Sequence, residues 1–335
     1  MSAHAYEDLL RRHPRNPILT ADMWPYKVHS VFNPGATRLR DGRTLLLVRC
    51  EDRRGFSHFC KAISNNGVDD WEIDSEPTLL PDPENHPDEL WGIEDSRITY
   101  LEDRDEYVIA YTAFGKSGPA VALATTKDFV NFDRLGVVMQ PEDKNAAILP
   151  CRFDGCYLII HRPASHLGHN MWIASSDDLR NWGDHRLLLP SRRGAWWDAH
   201  RIGLACPPIQ TSKGWLMLYH GVRTHASGSM YRVGLALLDR KDPRRVVLRG
   251  ESWIFGPQDP YEHSGDVGQV VFPTGCTIGD DGDTISLYYG GADSSVCLAT
   301  GSTRKLLAWI EQHGSEVTGM NGDASAAVHF SAINP

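Results

Sequence analysis

Several short segments of this chain gather residue types that could move a proton or hold a tetrahedral anion. The run Trp91-Gly92-Ile93-Glu94-Asp95-Ser96-Arg97 sets two adjacent carboxylates behind a tryptophan and ahead of an arginine. That composition suits a sugar site, where a carboxyl protonates a leaving oxygen and aromatic faces stack on pyranose rings. Successive residues of a strand point to opposite faces. An extended segment therefore admits only one of Glu94 and Asp95 to a given site and leaves the other to partner an arginine. Two further groups, Asp143-Lys144-Asn145 and Trp196-Trp197-Asp198-Ala199-His200-Arg201-Ile202-Gly203, each place a cation just ahead of a strand-like run. The paired tryptophans read either as a carbohydrate platform or as packing between sheets.

Other polar residues close apolar runs: Arg49, His161-Arg162, Tyr219-His220, and Tyr288-Tyr289 followed by Asp293. A guanidinium presents paired donors in a fixed fork that matches an oxyanion, and Tyr and His add directed hydrogen bonds. The chain contains no HExxH, GxSxG or P-loop pattern and no convincing GxGxxG. Zinc protease, serine hydrolase, nucleotide and dinucleotide readings thus lack support.

The elements that must position these residues form a repeat. Residues 45–49 (LLLVR), 107–111 (YVIAY), 157–161 (YLIIH), 215–219 (WLMLY) and 285–289 (ISLYY) are strand-like runs. Each follows a turn rich in Gly or Asp, and each is followed by a second strand-like run after a polar loop. Such spacing predicts an all-β fold, a five-bladed β-propeller of four-stranded blades, in preference to a β-sandwich. In a propeller the inner strand ends converge on a central channel, so polar residues distant in sequence meet there. Helical periodicity is confined to residues 303–313, where Leu306, Leu307 and Ile310 share a side, which predicts a short C-terminal helix. One catalytic domain is expected over residues 1–313, and the Gly-, Ser- and Ala-rich stretch 314–335 reads as a flexible tail.

The formal net charge of -9 argues against a nucleic-acid partner, since no basic face dominates. No run approaches the roughly 20 apolar residues of a membrane helix. Charges occupy the start of the chain where a signal peptide would be apolar, and the seven cysteines lack CxxC spacing. Neither a disulfide framework nor a metal site is expected, and the cytoplasm is the expected compartment.

In sequence order, VFNPGA (31–36), VRCEDRRGFSHF (48–59), WGIEDSR (91–97), DKNAAILP (143–150), HRP (161–163), HRIGLACPPI (200–209), GWLMLYHGV (214–222) and YYGGAD (288–293) resemble glycoside hydrolase family 130. These are the β-mannoside phosphorylases and related β-mannosidases. The resemblance implies a five-bladed propeller, an inverting reaction, and Asp95 as a general acid that passes its proton through a sugar hydroxyl. It implies a phosphate cluster of Lys144, Asn145, Arg162, Arg201, Tyr219 and His220, and mannose held by Asn33, Arg49, Asp52, Arg97 and Asp293. Ser96 stands where the family usually has Pro, Lys144 and Arg201 replace a frequent Arg and Lys, and Gln269 and Thr274 also depart from its pattern. A hydrolase needs a second carboxylate to activate water, whereas a phosphorylase needs cations around its phosphate. The matched cluster contains no carboxylate. The expectation is therefore phosphorolysis of β-1,4- or β-1,2-linked mannosides to α-mannose 1-phosphate. A β-mannosidase and a non-catalytic sugar-binding propeller are the alternatives. No cofactor is expected beyond inorganic phosphate as co-substrate. The oligomeric state is left open, a homo-oligomer included.

Overall fold

The computed structural model describes residues 8–226 and 228–317. Strands dominate it, and nearly all pair antiparallel with a sequence neighbour. Ser30–Arg38, Thr44–Glu51, Ser57–Ser64 and Glu72–Ile73 form one four-stranded sheet, and Ile93–Leu101, Glu106–Gly115, Gly118–Thr126 and Asp133–Met139 form another. An eleven-stranded sheet follows. It contains one antiparallel group from Asp143–Ile148 to Gly183–Leu189 and a second from Arg201–Leu204 to Val246–Gly250, joined where His169 pairs in parallel with Arg201. In the last sheet Val271–Ile278, Thr284–Gly291 and Ser295–Ser302 are completed by Leu10–Arg12 from the other end of the chain.

Every apolar run noted in the sequence lies in a strand that pairs with the run after it, as Leu45 does with Ile63 and Tyr157 with Ser176. Leu45 and Leu47 pack with Ile109 and Tyr111, whereas Leu46 and Val48 pack with Tyr288, Val296 and Leu298. The strand is buried on both faces, which is why it reads as a continuous apolar run instead of an alternation. Each such side chain taken from water contributes about 1.5–3 kcal/mol.

The strand that opens each group is a different one, which the apolar pattern did not single out: Ser30–Arg38, Ile93–Leu101, Asp143–Ile148, Arg201–Leu204 and Val271–Ile278. These strands pack beside one another, Ser30–Arg38 against both Ile93–Leu101 and Val271–Ile278, and Asp143–Ile148 against Ile93–Leu101 and Arg201–Leu204. In four of them the register slips, between Phe32 and Gly35, Glu94 and Arg97, Lys144 and Ala147, and Pro273 and Gly275. At the first three of these slips sits a left-handed residue: Asn33 (φ 44°), Asp95 (φ 55°) and Asn145 (φ 57°). Asn and Asp tolerate that conformation better than other non-glycine residues, and a bulge bends the strand and re-aims its side chains.

The helix Thr303–His313 is present, with Ser302 accepting the N–H of Lys305 as its cap and with Leu306 and Ile310 buried. The stretch read as a tail begins differently, because Gly314–Glu316 is a strand added to Val246–Gly250. The tail expected beyond residue 317, like residues 1–7 of the expected domain, lies outside the described residues. No helix among the described residues is long and apolar enough to cross a membrane.

Candidate active site

A cavity of about 420 Å³ opens where the first strands of the groups meet. Its size falls within the usual range of small-molecule sites. One half is lined by Asn33, Arg49, Glu94, Asp95 and Asp293, and the other by Lys144, Asn145, Arg162, His169, Arg201, His220 and Tyr231, with Phe272 and Val270 alongside. Glu142 also lines it, at the rim.

Asp95 Oδ1 accepts from Asn33 Nδ2 at 2.9 Å and from Arg49 Nη1 at 3.0 Å. Arg49 also meets Glu51 at 2.7 Å and Glu94 at 3.2 Å. Glu94 and Asp95 both enter the cavity, contrary to the expectation that alternation would admit one. The bulge at Asp95 breaks the alternation. Glu94 remains an arginine partner all the same, and its other oxygen stands 3.8 Å from Lys144 Nζ.

Charge is divided unevenly. Burial pushes the Asp95 carboxyl up, but Arg49, Lys144, Asn33 and Arg97 outweigh it and hold it below its ordinary value. Asp293 meets the opposite balance: burial and then the charge of Asp95 push it up to about 7, with Arg49 opposing. In the other half, burial and then Arg201 pull the Arg162 guanidinium below its usual range. Burial, Arg162, Arg97 and Arg201 hold His220 well below its ordinary value, so this histidine is a neutral hydrogen-bonding group and not one of the cations. A Cβ on Gly203 would stand 2.5 Å from the His220 ring and 2.6 Å from Asn145 Nδ2, so only glycine lets these two approach.

Among the described residues, Arg162 Nε, His220 Nδ1 and Asn33 Oδ1 are buried and meet no hydrogen-bonding partner in the protein. Buried polar groups are ordinarily paired. All three belong to residues of this cavity, and groups of this kind are suited to taking a polar ligand.

Three residues assigned from the resemblance stand elsewhere. Tyr219 is fully buried behind the site, where its hydroxyl donates to Asp198 at 3.0 Å and accepts from Arg249 at 3.2 Å, with Trp197 stacked on its ring. Adjacent strand residues face opposite ways, so His220 reaches the cavity and Tyr219 cannot. Tyr231 stands there instead. It pairs with Val222 on the next strand, on the face of His220, and its ring lies 5.6 Å from the Arg201 guanidinium. That alternation was the signal that could have found it. Arg97, 1% exposed, donates to the carbonyls of Ala205, Leu204 and Asp95 at 2.7, 2.8 and 3.0 Å, and burial pushes it down to about 10. It fixes the backbone beneath Asp95 and does not line the cavity. Asp52 caps its own loop, accepting from Arg54 and the Phe56 N–H.

The Trp196-Trp197 pair makes no platform in the cavity. Trp197 is core, and Trp196 lies under Arg192. Ser96 and Thr274, two of the departures from the family pattern, tie neighbouring strands together: Ser96 Oγ donates to Leu47 O, and Thr274 Oγ1 donates to Pro34 O. The sequence left His169 unremarked; its Nδ1 accepts from Arg162 Nη1 at 3.0 Å.

Residues 8–312 match the model of a glycoside hydrolase family 130 described as beta-1,4-mannooligosaccharide phosphorylase. Over 226 residues the chain is 42% identical to the beta-1,2-mannobiose phosphorylase of Listeria innocua, a match that takes in 67% of this chain and 61% of that protein. It is 30% identical over 318 residues to the beta-1,4-mannooligosaccharide phosphorylase of Ruminococcus albus, covering 92% and 93% of the two. The solved complex of the Listeria innocua beta-1,2-mannobiose phosphorylase with beta-1,2-mannobiose superposes with a TM-score of 0.82 at 31% identity, over 90% of this chain and 99% of that one. A family model that accounts for nearly the whole described chain, and relatives that share its fold, leave one assignment: the chain belongs to glycoside hydrolase family 130.

Proposed function

We propose that this protein catalyses the inverting, reversible phosphorolysis of β-1,4- or β-1,2-linked mannosides, with α-mannose 1-phosphate as product. The observation that carries this reading is the cationic half of the cavity. Lys144, Arg162 and Arg201 converge there with few carboxylates, and two of the guanidiniums are close enough that one depresses the other. Like charges held together out of water are costly until an anion enters. Arg162 Nε and His220 Nδ1 would complete their hydrogen bonding on it. Asn145, His169 and Tyr231 are further hydrogen-bonding groups of the same half.

The other half supplies hydrogen bonds of the kind sugar hydroxyls use, from Asn33, Arg49 and Asp293. In this reading Asp95 gives its proton towards the glycosidic oxygen. The bond from that oxygen to the anomeric carbon breaks, and a phosphate oxygen attacks the same carbon from the opposite face, which inverts it. The names of the relatives in the family point the same way. We read the five antiparallel groups as blades of one propeller domain, because their first strands pack side by side around the cavity. We place the protein in the cytoplasm because its seven cysteines are all free thiols, even where Cys50 adjoins Cys60 and Cys206 adjoins Cys276.

Glu142 favours a second reading. It is a carboxylate at the rim of the cationic half, where a base for water would stand. The carboxylates that could have joined it are engaged elsewhere: Asp198 with Arg249, Glu262 with Arg12 and Asp266 with His29.

Incubation with β-1,4- and β-1,2-mannobiose, with and without phosphate, tests the assignment. Mannose 1-phosphate formed only with phosphate is expected. Free mannose at equal rates in both would establish a hydrolase, and no turnover of either sugar would leave a binding protein.

A further inference from the structure

Two residues in motifs that the sequence singled out have no task in the chemistry above: Asp143, next to Lys144, and His161, next to Arg162. Each is 3% exposed, and they touch. His161 Nδ1 donates to Asp143 Oδ2 at 2.6 Å, and the backbone N–H of Arg162 donates to Asp143 Oδ1 at 3.0 Å. A carboxylate only accepts, so it fixes the ring proton on Nδ1. The other ring nitrogen, Nε2, faces His185 Nδ1 at 3.4 Å.

The pair sits where the strands Asp143–Ile148 and Tyr157–Ser165 need help. Asp143 is opposite Pro163 and Lys144 is opposite Arg162, and the register slips before Ala147. Proline offers no N–H to the ladder, and the bulge removes further rungs. Asp143 compensates by accepting the neighbouring N–H with its side chain. Because adjacent strand residues alternate, Lys144 and Arg162 face the cavity while Asp143 and His161 meet behind it.

We propose that Asp143 and His161 are positioning residues for the anion half of the cavity, holding Lys144 and Arg162 at the spacing a tetrahedral anion requires. Neither touches substrate. The inference rests on the reading of this half as the phosphate site.

The test measures the phosphate and mannobiose dependence of turnover for wild type, Asp143→Ala, Asp143→Asn and His161→Gln. Asp143→Ala is expected to raise the KM for phosphate about tenfold or more, since small misplacements of binding groups cost that much. The KM for mannobiose should stay within about twofold, because the sugar half is untouched. Asp143→Asn keeps an oxygen for the Arg162 N–H and should recover most of the loss. His161→Gln, which keeps a donor, should raise the phosphate KM by a smaller factor. An unchanged phosphate KM in Asp143→Ala, or both KM values rising together, would overturn the positioning role and leave a structural one. If Asp143→Ala does not fold, the two conservative variants decide, and no rise in phosphate KM in either overturns the proposal. Wild type that releases mannose without phosphate would sink the underlying reading. Wild type that requires phosphate, with variants unchanged, sinks only the pair.

Discussion

Lys144 Nζ stands 3.8 Å from Glu94 Oε2, so the cation proposed to meet phosphate is tethered to the segment that carries the proposed acid. The two halves of the cavity therefore share a charge. Lys144 is also among the groups that hold the Asp95 carboxyl below its ordinary value. A phosphate dianion drawn to Lys144 cancels part of that effect and adds negative potential, and both changes raise the affinity of Asp95 for a proton. We predict that Asp95 takes up protons when the dianion binds and that, by reciprocity, protonated Asp95 strengthens binding of the dianion. Calorimetry in buffers of different ionisation enthalpy measures the uptake. It should fall in Asp95→Asn by the share that Asp95 contributes; equal uptake in wild type and variant would contradict the coupling.

Asp95→Asn keeps the shape of the side chain and removes the proton donor. Turnover should drop by about 10²-fold or more with the fold intact. Retained turnover would move the acid role elsewhere. Asp293, whose carboxyl burial pushes up even without the charge of Asp95, is the carboxyl that would then be tested as the donor.

Asp293 also makes stability depend on pH. Its ordinary value is 3.8 and its folded value is about 7. A carboxyl raised on folding contributes stability that is fully present below the lower value and lost as pH rises through the higher one. Asp293→Asn removes this dependence. The variant should therefore melt a few degrees above wild type at about pH 8 and show no such gain at about pH 4. A constant difference in Tm across that range would show that the carboxyl is not held protonated.

Arg201 and His220 should separate on charge. Both line the anion half, but burial and three arginines keep the His220 ring neutral. Replacing either by Ala should weaken phosphate more than mannobiose, by about tenfold in KM, the usual cost of one good hydrogen bond to a charged ligand. Arg201→Ala should also flatten the salt dependence of phosphate binding, whereas His220→Gln, which keeps a donor, should recover affinity. A His220 resonance that titrates near pH 6.5 would refute the neutral assignment.

Arg97→Met should cost stability more than it changes either KM. Its guanidinium satisfies three buried carbonyls, and removing it strands them. The loss should be about 3 kcal/mol, read as a lowered denaturation midpoint. Normal stability with a selective loss of mannoside affinity would return Arg97 to the sugar site.

The sequence by itself determined that this is a β-protein. Five pairs of apolar runs become hairpins because each strand is buried on both faces, and a two-faced strand leaves an unbroken apolar signature. It also carried the terminal helix 303–313 and most of the residues that line the cavity, the latter through ordered motifs that resemble one family. Tertiary structure decided which polar neighbour faces inward. Strand alternation turns Tyr219 into the core and brings in Tyr231, and a left-handed bulge lets Glu94 and Asp95 share one cavity. Charge state was decided there as well. Burial first, and then arginines and carboxylates distant in sequence, keep His220 neutral and raise Asp293, and no local pattern records either.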